Sequence, residues 1–234
     1  KGTYRITSLF LKSNLRFELA KGAELVADTD RASYPKFPGV IESYDETSEY
    51  NLGTWEGNPL PMFAGIITGL DVENVLIYGR GTINGNASKE NWWKNPKVMV
   101  GAFRPRLFFL SHSQNVTLCG VTFKNSPSWT LHPYFSDNLK FYGVTINNPS
   151  DSPNTDGLDP ESCKNVEIVG VKFSLGDDCI AVKSGKIYMG KKYKTPSENI
   201  HIRQCLMENG HGAVTVGSEM AGGVKNLVVE ECRF

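Results

Sequence analysis

The sequence is short of the features that mark several large protein classes. Its charge does not lean either way: 25 Lys and Arg stand against 25 Asp and Glu in 234 residues. Nucleic-acid binders carry a basic excess, so nucleic acid is not an expected partner. No apolar run approaches the roughly 18 residues a membrane span needs, so no membrane is expected either. The first stretch, KGTYRITSLFLKSNLRFELAKG, lacks the charged start, unbroken apolar segment and small-residue cleavage site of a signal peptide. Localisation therefore stays open between a cytoplasmic protein and a secreted one whose leader lies outside this chain. Cysteines are few: Cys119, Cys163, Cys179, Cys205 and Cys232, an odd number with no CxxC pair. That pattern fits neither a disulfide scaffold nor a zinc site. Long helical periodicity is also missing.

What the chain does have is a repeat. NVTLCGVTF from Asn115, NLKFYGVTI from Asn138, NVEIVGVKF from Asn165, NIHIRQCLM from Asn199 and NLVVEECRF from Asn226 share one pattern. In each, the residues 1, 3, 6 and 8 places after the Asn are apolar. A looser copy begins at Asn74 and another at Asn14. The last five copies are spaced by 23, 27, 34 and 27 residues. Period-two alternation means a strand with one buried face. The break between offsets 3 and 6 means a bend between two short strands. A repeat of this length without a helix predicts an all-β fold, a parallel β-helix with one coil per repeat, as a single domain over residues 1–234. The Asn residues are expected to stack as an amide ladder. Cys205 and Cys232 share the offset of Val171 and are read as small buried hydrophobes.

The same register brings three Gly-rich corners together. Asn154-Thr155-Asp156-Gly157-Leu158 lies over Gly176-Asp177-Asp178-Cys179-Ile180, and that over Gly210-His211-Gly212-Ala213-Val214. Asp156 and Asp178 are then equivalent on adjacent coils, about 4.8 Å apart, and His211 follows Asp177. A single Asp in a β-turn commonly bonds backbone amides and nothing more. Three like charges in one patch repel, and a structural corner has no need of them. The glycines flanking His211 are read as leaving its ring accessible.

Two chemistries suit such a cluster. Glycoside hydrolysis needs one protonated carboxyl and one ionised carboxylate, and mutual repulsion supplies both states. Asp177, beside Asp178 and one coil from Asp156, is expected to hold the proton. A Ca²⁺-dependent lyase is the rival, since hard cations favour carboxylates. His211 is a poor Ca²⁺ ligand and a good acid, base or orienting group, so no metal and no cofactor are expected.

NTDGLDPES, GDDCIAVKSG and GHGAVTVGSE, in this order and spacing, resemble the polygalacturonase family of pectin-degrading hydrolases, glycoside hydrolase family 28. The likeness extends upstream through RPRLFFL, NSPSWTLHP and GRGTINGN, and the flanks look most like the bacterial and plant branch. The resemblance implies a right-handed parallel β-helix and inverting hydrolysis of α-1,4-linked galacturonan, an acidic polysaccharide. It implies Asp177 as general acid, Asp156 and Asp178 as the pair holding the attacking water, and His211 beside the acid. It places Asn154 and Asp159 along the cleft. Lys183 and His132 are further candidates for substrate contact. The alternatives are hydrolysis of rhamnogalacturonan or another pectin fragment, and a non-catalytic carbohydrate-binding solenoid.

One departure bears on the last alternative. The family's Arg-x-Lys motif, one coil past the histidine, does not follow Gly222-Gly223 before the chain stops at Phe234. The expectation is a fragment of a longer β-helix. Lys186, Lys191, Lys192 and Lys194 are read as a solvated loop, or as a field attracting a polyanion. Trp92-Trp93 are read as capping one end of the solenoid. NAS at Asn86 and NVT at Asn115 match glycosylation acceptors, the second at the start of a core strand.

Overall fold

The computed structural model describes residues 1–39 and 52–234. The repeat folds as its periodicity requires. Each copy up to that at Asn199 gives two short strands at an angle, the copy at Asn226 gives one, and successive coils stack in parallel. The strands after each Asn form one seven-stranded sheet: Arg16–Leu19, Glu73–Gly79, Gln114–Cys119, Asp137–Tyr142, Lys164–Val169, Ser197–Arg203 and Val224–Glu230. The shorter second strands, from Gly2–Ile6 and Ala23–Ala27 through Thr122–Lys124 to Leu206–Asn209, form another. The third face contains Leu9–Phe10, Ile67–Leu70, Phe108–Ser111 and Leu131–Tyr134. It continues through a bridge at Leu158 to Ile180–Val182 and Val214–Val216.

The predicted apolar offsets fill the interior. Val116, Leu118, Val121 and Phe123 stack on Leu139, Phe141, Val144 and Ile146, and these on Val166, Ile168, Val171 and Phe173, all buried. Burying one such side chain contributes about 1.5–3 kcal/mol, so continuity from coil to coil holds the fold. Cys205 is buried at the matching position, Cys232 only partly, and neither is in a disulfide.

The amide ladder is present. Asn74 donates to Asn14, Asn115 to Asn74, Asn138 to Asn115, Asn199 to Asn165 and Asn226 to Asn199, at 2.7–3.2 Å. All seven Asn residues are left-handed, with φ between 52° and 59°. Asn tolerates that conformation better than other residues with a Cβ. One rung is displaced: Asn165 donates to Asp137 rather than to Asn138.

Two expectations are corrected. The Lys-rich stretch is no loop; Ile187–Tyr193 is an α-helix that buries Met189 and ends on left-handed Lys194. Seven residues were too few to show a periodicity against the strand pattern around them. Trp92 and Trp93 do not cap an end. Trp92 packs edge-on against Tyr34 and Phe63, and Trp93 Nε1 donates to the Ser126 carbonyl. Both lie on the flank of the coils and are buried.

A second apolar cluster lies outside the solenoid, on the outer face of the third sheet. Phe37, Met62 and Ala64 from the segment before the second coil, with Met189 from the helix, pack on Phe109 and Tyr134. This cover leaves the acid-bearing coils at its border.

Candidate active site

The third sheet sets the register of the site. Thr130 N–H bonds the Asp156 carbonyl, Gly157 N–H that of Asp178, and His211 N–H that of Asp177. Asp156 thus stacks on Asp178, and Asp177 on His211, in the register the corners share in sequence. Asp156, Asp177 and Asp178 each place a carboxylate oxygen within 4.8 Å of the other two. His211 Nδ1 lies 3.4 Å from Asp177 Oδ1, with 71% of its side chain exposed.

Glycine permits this crowding. A Cβ on Gly212 would sit 2.8 Å from Asp178 Oδ1 and 2.4 Å from Thr215 Oγ1. A Cβ on Gly157 would sit 2.4 Å from the Cys179 carbonyl. The glycines beside the acids and the histidine let adjacent coils approach, beyond leaving the imidazole open.

Burial orders the carboxyls differently from repulsion alone. Asp156 is 4% exposed, whereas the Asp177 side chain keeps 24% of its surface. Burial first, then the Asp177 charge, pushes the Asp156 carboxyl up to about 7 against the pull of Lys183. Burial and the Asp177 charge also raise Asp178, opposed by a hydrogen bond from Thr215 and by Lys183 and His211. Burial therefore favours a proton on Asp156 in the free protein, which the charge pattern of the sequence alone does not show.

Asp159 is fully buried. Burial and the Asp156 charge hold its carboxyl well above the usual range. Neither of its oxygens finds a hydrogen-bond donor. A proton held between Asp159 and its neighbour Asp156 resolves both facts, since two carboxylates can bond only through one.

Lys183 is buried under the acids rather than along an open cleft wall. Its Nζ donates to Glu219 Oε2 at 2.7 Å and to the Gly217 carbonyl at 3.2 Å. It lies 3.8 Å from Asp159 and 4.0 Å from Asp156, and 4.6 Å over the Trp129 ring. Burial pushes the ammonium down, but Asp159, Asp156 and Glu219 outweigh it and hold it above its ordinary value. Burial likewise pushes Glu219 up, and Lys183 more than reverses that.

His132 has no surface for a sugar to touch. Arg106 Nε donates to its Nδ1 at 3.2 Å, so the ring proton sits on Nε2, which faces Glu161 Oε2 at 2.8 Å. Burial, Arg106 and Lys183 hold the imidazole neutral, well below its ordinary value. Burial raises Glu161 to about 7. Asn154, left-handed at φ 55°, accepts from Arg104 Nη2 at 2.6 Å.

Beneath the half-buried Asp177 and Asp178, then, Asp156, Asp159, Glu161 and Glu219 face two cations, Lys183 and Arg106. Four carboxyls against two charges leave room for two retained protons, as the upward shifts require. Arg104, Arg106, Trp129, Glu161 and Glu219 all belong to this machinery and were not singled out from sequence. For Arg106, Trp129 and Glu161 the signal was register: Arg106, Trp129, Asp156 and Asp178 are equivalent on successive coils, as are Tyr134, Glu161 and Lys183.

The sequence pattern of glycosyl hydrolases family 28 matches residues 43–234. A probable polygalacturonase of Vitis vinifera is 33% identical over 98% of this chain and 45% of its own length. An endo-polygalacturonase of Pectobacterium parmentieri is 36% identical over 97% of this chain and 54% of its own. The crystal structure of an exopolygalacturonase from Thermotoga maritima superposes with a TM-score of 0.83 at 29% identity, covering 99% of this chain and 57% of that one. The chain spans about half the length of the curated relatives it matches.

Proposed function

The chain belongs to glycosyl hydrolases family 28, a family of right-handed parallel β-helices, and on that premise we propose that it hydrolyses α-1,4-galacturonosidic bonds of polygalacturonate. The observation that carries the reading is the meeting of three carboxylates within 4.8 Å with an imidazole 3.4 Å from one of them. The polygalacturonase names of its relatives supply the substrate.

In this reading Asp177 gives its proton to the leaving oxygen. It is the solvent-facing acid, and His211 lies against it. A sugar laid over the cluster brings its leaving oxygen to the Asp177 carboxyl. Asp156 and Asp178 hold the attacking water and accept its proton. For Asp156 to do so its own proton must leave, and Lys183 at 4.0 Å favours the ionised form. Asp159, His132 and Lys183 act from beneath as positioning residues, and Asn154 lines the cleft.

Inversion at the anomeric carbon is the finer part of the proposal. Inverting pairs usually stand about 6.5–9.5 Å apart, wider than this cluster. Here a third carboxylate allows two of them to hold water while the other protonates.

The test is product analysis with the full-length gene product on polygalacturonate. Saturated oligogalacturonates with new reducing ends, the β anomer first by NMR, support the reading. Unsaturated products would replace hydrolysis with elimination, and absence of any cleavage would leave a binding solenoid.

A further inference from the structure

The row of the sheet that carries the acids is closed on the side of the earlier coils. In register from earlier to later coils it runs Arg106, Trp129, Asp156, Asp178. Arg106 is 0% exposed and Trp129 4%. A tight hairpin, in which Trp55 and Asn58 exchange both backbone hydrogen bonds at 3.0 Å, covers Arg106, and the Trp129 ring lies under Arg106 and Lys183.

This hairpin is fastened at several points. Arg106 Nη2 donates to the Thr54 carbonyl at 3.2 Å, and Lys186 N–H to that of Gly57 at 2.9 Å. The Trp55 ring lies under the guanidiniums of Arg104 and Arg106 at 5.2 and 4.8 Å, and it stacks on Phe103 at 4.6 Å. Gly57 leaves no room for a side chain: a Cβ there would sit 2.7 Å from Glu219 Cγ. The cover is packed chain, not a loose flap.

Beside the hairpin lies a pocket of about 400 Å³, a size typical of small-ligand sites, which borders the acid-bearing corner through Asn154. Trp55, Asn58, Pro96, Lys97, Phe103 and Asn154 line it. Asn154 stands two residues before Asp156. Its oxygen is held by Arg104, so its amide N–H groups are what it offers the pocket. Lys97 supplies an exposed cation suited to the carboxylate that every galacturonate carries. Glu56 shares the wall, and Lys186 stands 3.9 Å from its carboxylate. Arg104 Nε, behind Asn154, is buried without a hydrogen-bond partner.

We propose that this pocket receives the terminal sugar of a galacturonan chain, and that the blocked row makes the site exo-acting. The inference rests on the polygalacturonate reading above and adds the direction from which substrate enters. A polymer threaded through the groove would have to displace Trp55 from Phe103 and both arginines. A chain end meets the wall and stops beside the acids.

The experiment follows hydrolysis of polygalacturonate by the full-length gene product, comparing viscosity with reducing ends released. The expected result is one small product size from the earliest times, with viscosity falling only in proportion to bonds cut. Rapid viscosity loss with a ladder of oligomers would overturn the inference and leave the hydrolase reading standing. Absence of any hydrolysis overturns both. The variant Lys97→Met tests the pocket itself. Losing one charge-assisted contact should raise KM for trigalacturonate about tenfold, more than it lowers kcat. An unchanged KM would remove the pocket from the substrate path.

Discussion

The Lys183 ammonium donates to Glu219 Oε2 at 2.7 Å, and both side chains are buried. Lys183 also lies 4.0 Å from Asp156 and 3.8 Å from Asp159. Removing it leaves Glu219 without its ion-pair partner, and Asp156, Asp159 and Glu161 with Arg106 but one cation fewer. Breaking a buried pair from one side costs about 3–5 kcal/mol. Lys183→Met should therefore lower the unfolding free energy by about that much in a denaturant titration. Glu219→Gln, which keeps shape and a hydrogen-bond acceptor, should cost less.

The retained protons give stability a pH dependence. Asp156 and Glu161 are both raised to about 7, from ordinary values of 3.8 and 4.5. Between those limits the folded state binds more protons than the unfolded one. Stability is then greatest below the unfolded values and declines as pH rises through about 7. Glu219, lowered by Lys183, acts in the opposite sense, losing its contribution as pH falls below about 4.5. Unfolding temperature should be higher at pH 5 than at pH 8. Asp156→Asn together with Glu161→Gln should flatten that slope.

The ladder makes a local prediction. Asn115 donates to Asn74, accepts from Asn138 and stands at φ 56°. Asn115→Ala loses two exposed hydrogen bonds and places a Cβ in a left-handed backbone without Asn's local compensation. A cost of about 2 kcal/mol is expected, and less for Asn115→Gly, which tolerates the conformation. Equal losses in thermal unfolding would mean that backbone strain plays no part.

The coil architecture and the exposed acids were legible because the solenoid makes sequence register into spatial register. Offsets shared by Asn74, Asn115 and Asn138 became stacked rungs, and Asp177 met His211 as the alignment of their corners required. The network beneath was harder to read. Glu161, Lys183 and Tyr134 also share a register position, but a strand pattern does not reveal that a remote segment covers its outer face. The Trp55 hairpin does so from about fifty residues before Arg106, and no periodicity links the two. That cover turns Lys183 and His132 from surface candidates into buried ones. Burial in turn, rather than charge counting, favours a proton on Asp156.

Replacing each acid separates its role. Asp177→Asn keeps size and hydrogen bonding but has no proton to give. In the full-length enzyme its kcat should fall about 10²–10⁴-fold on galacturonan, the usual contribution of a general acid. The loss should be much smaller on a nitrophenyl galacturonide, whose leaving group needs little protonation. Asp156→Asn and Asp178→Asn should impair both substrates alike, because water must be activated for either. Selective rescue of Asp178→Asn on the activated substrate would exchange the acid and base assignments.

The pH profile tests whether Asp156 accepts the proton of water. A base must be ionised, and burial with the Asp177 charge places Asp156 at about 7 in the free protein. On the acidic side, kcat/KM should therefore rise with pH up to a limb near 7, since this ratio reports the free enzyme. Lys183 pulls Asp156 downward from 4.0 Å away. Removing that cation in Lys183→Met should move the limb to higher pH. Glu219→Gln should move it the other way, because Lys183 then keeps its charge while losing the carboxylate that balances it at 2.7 Å. A merely structural role for the pair would lower activity without moving the limb. Opposite displacements in the two variants are specific to an ammonium acting on a catalytic carboxyl. A limb that stays fixed in both would assign the titration to another group and remove Asp156 from water activation.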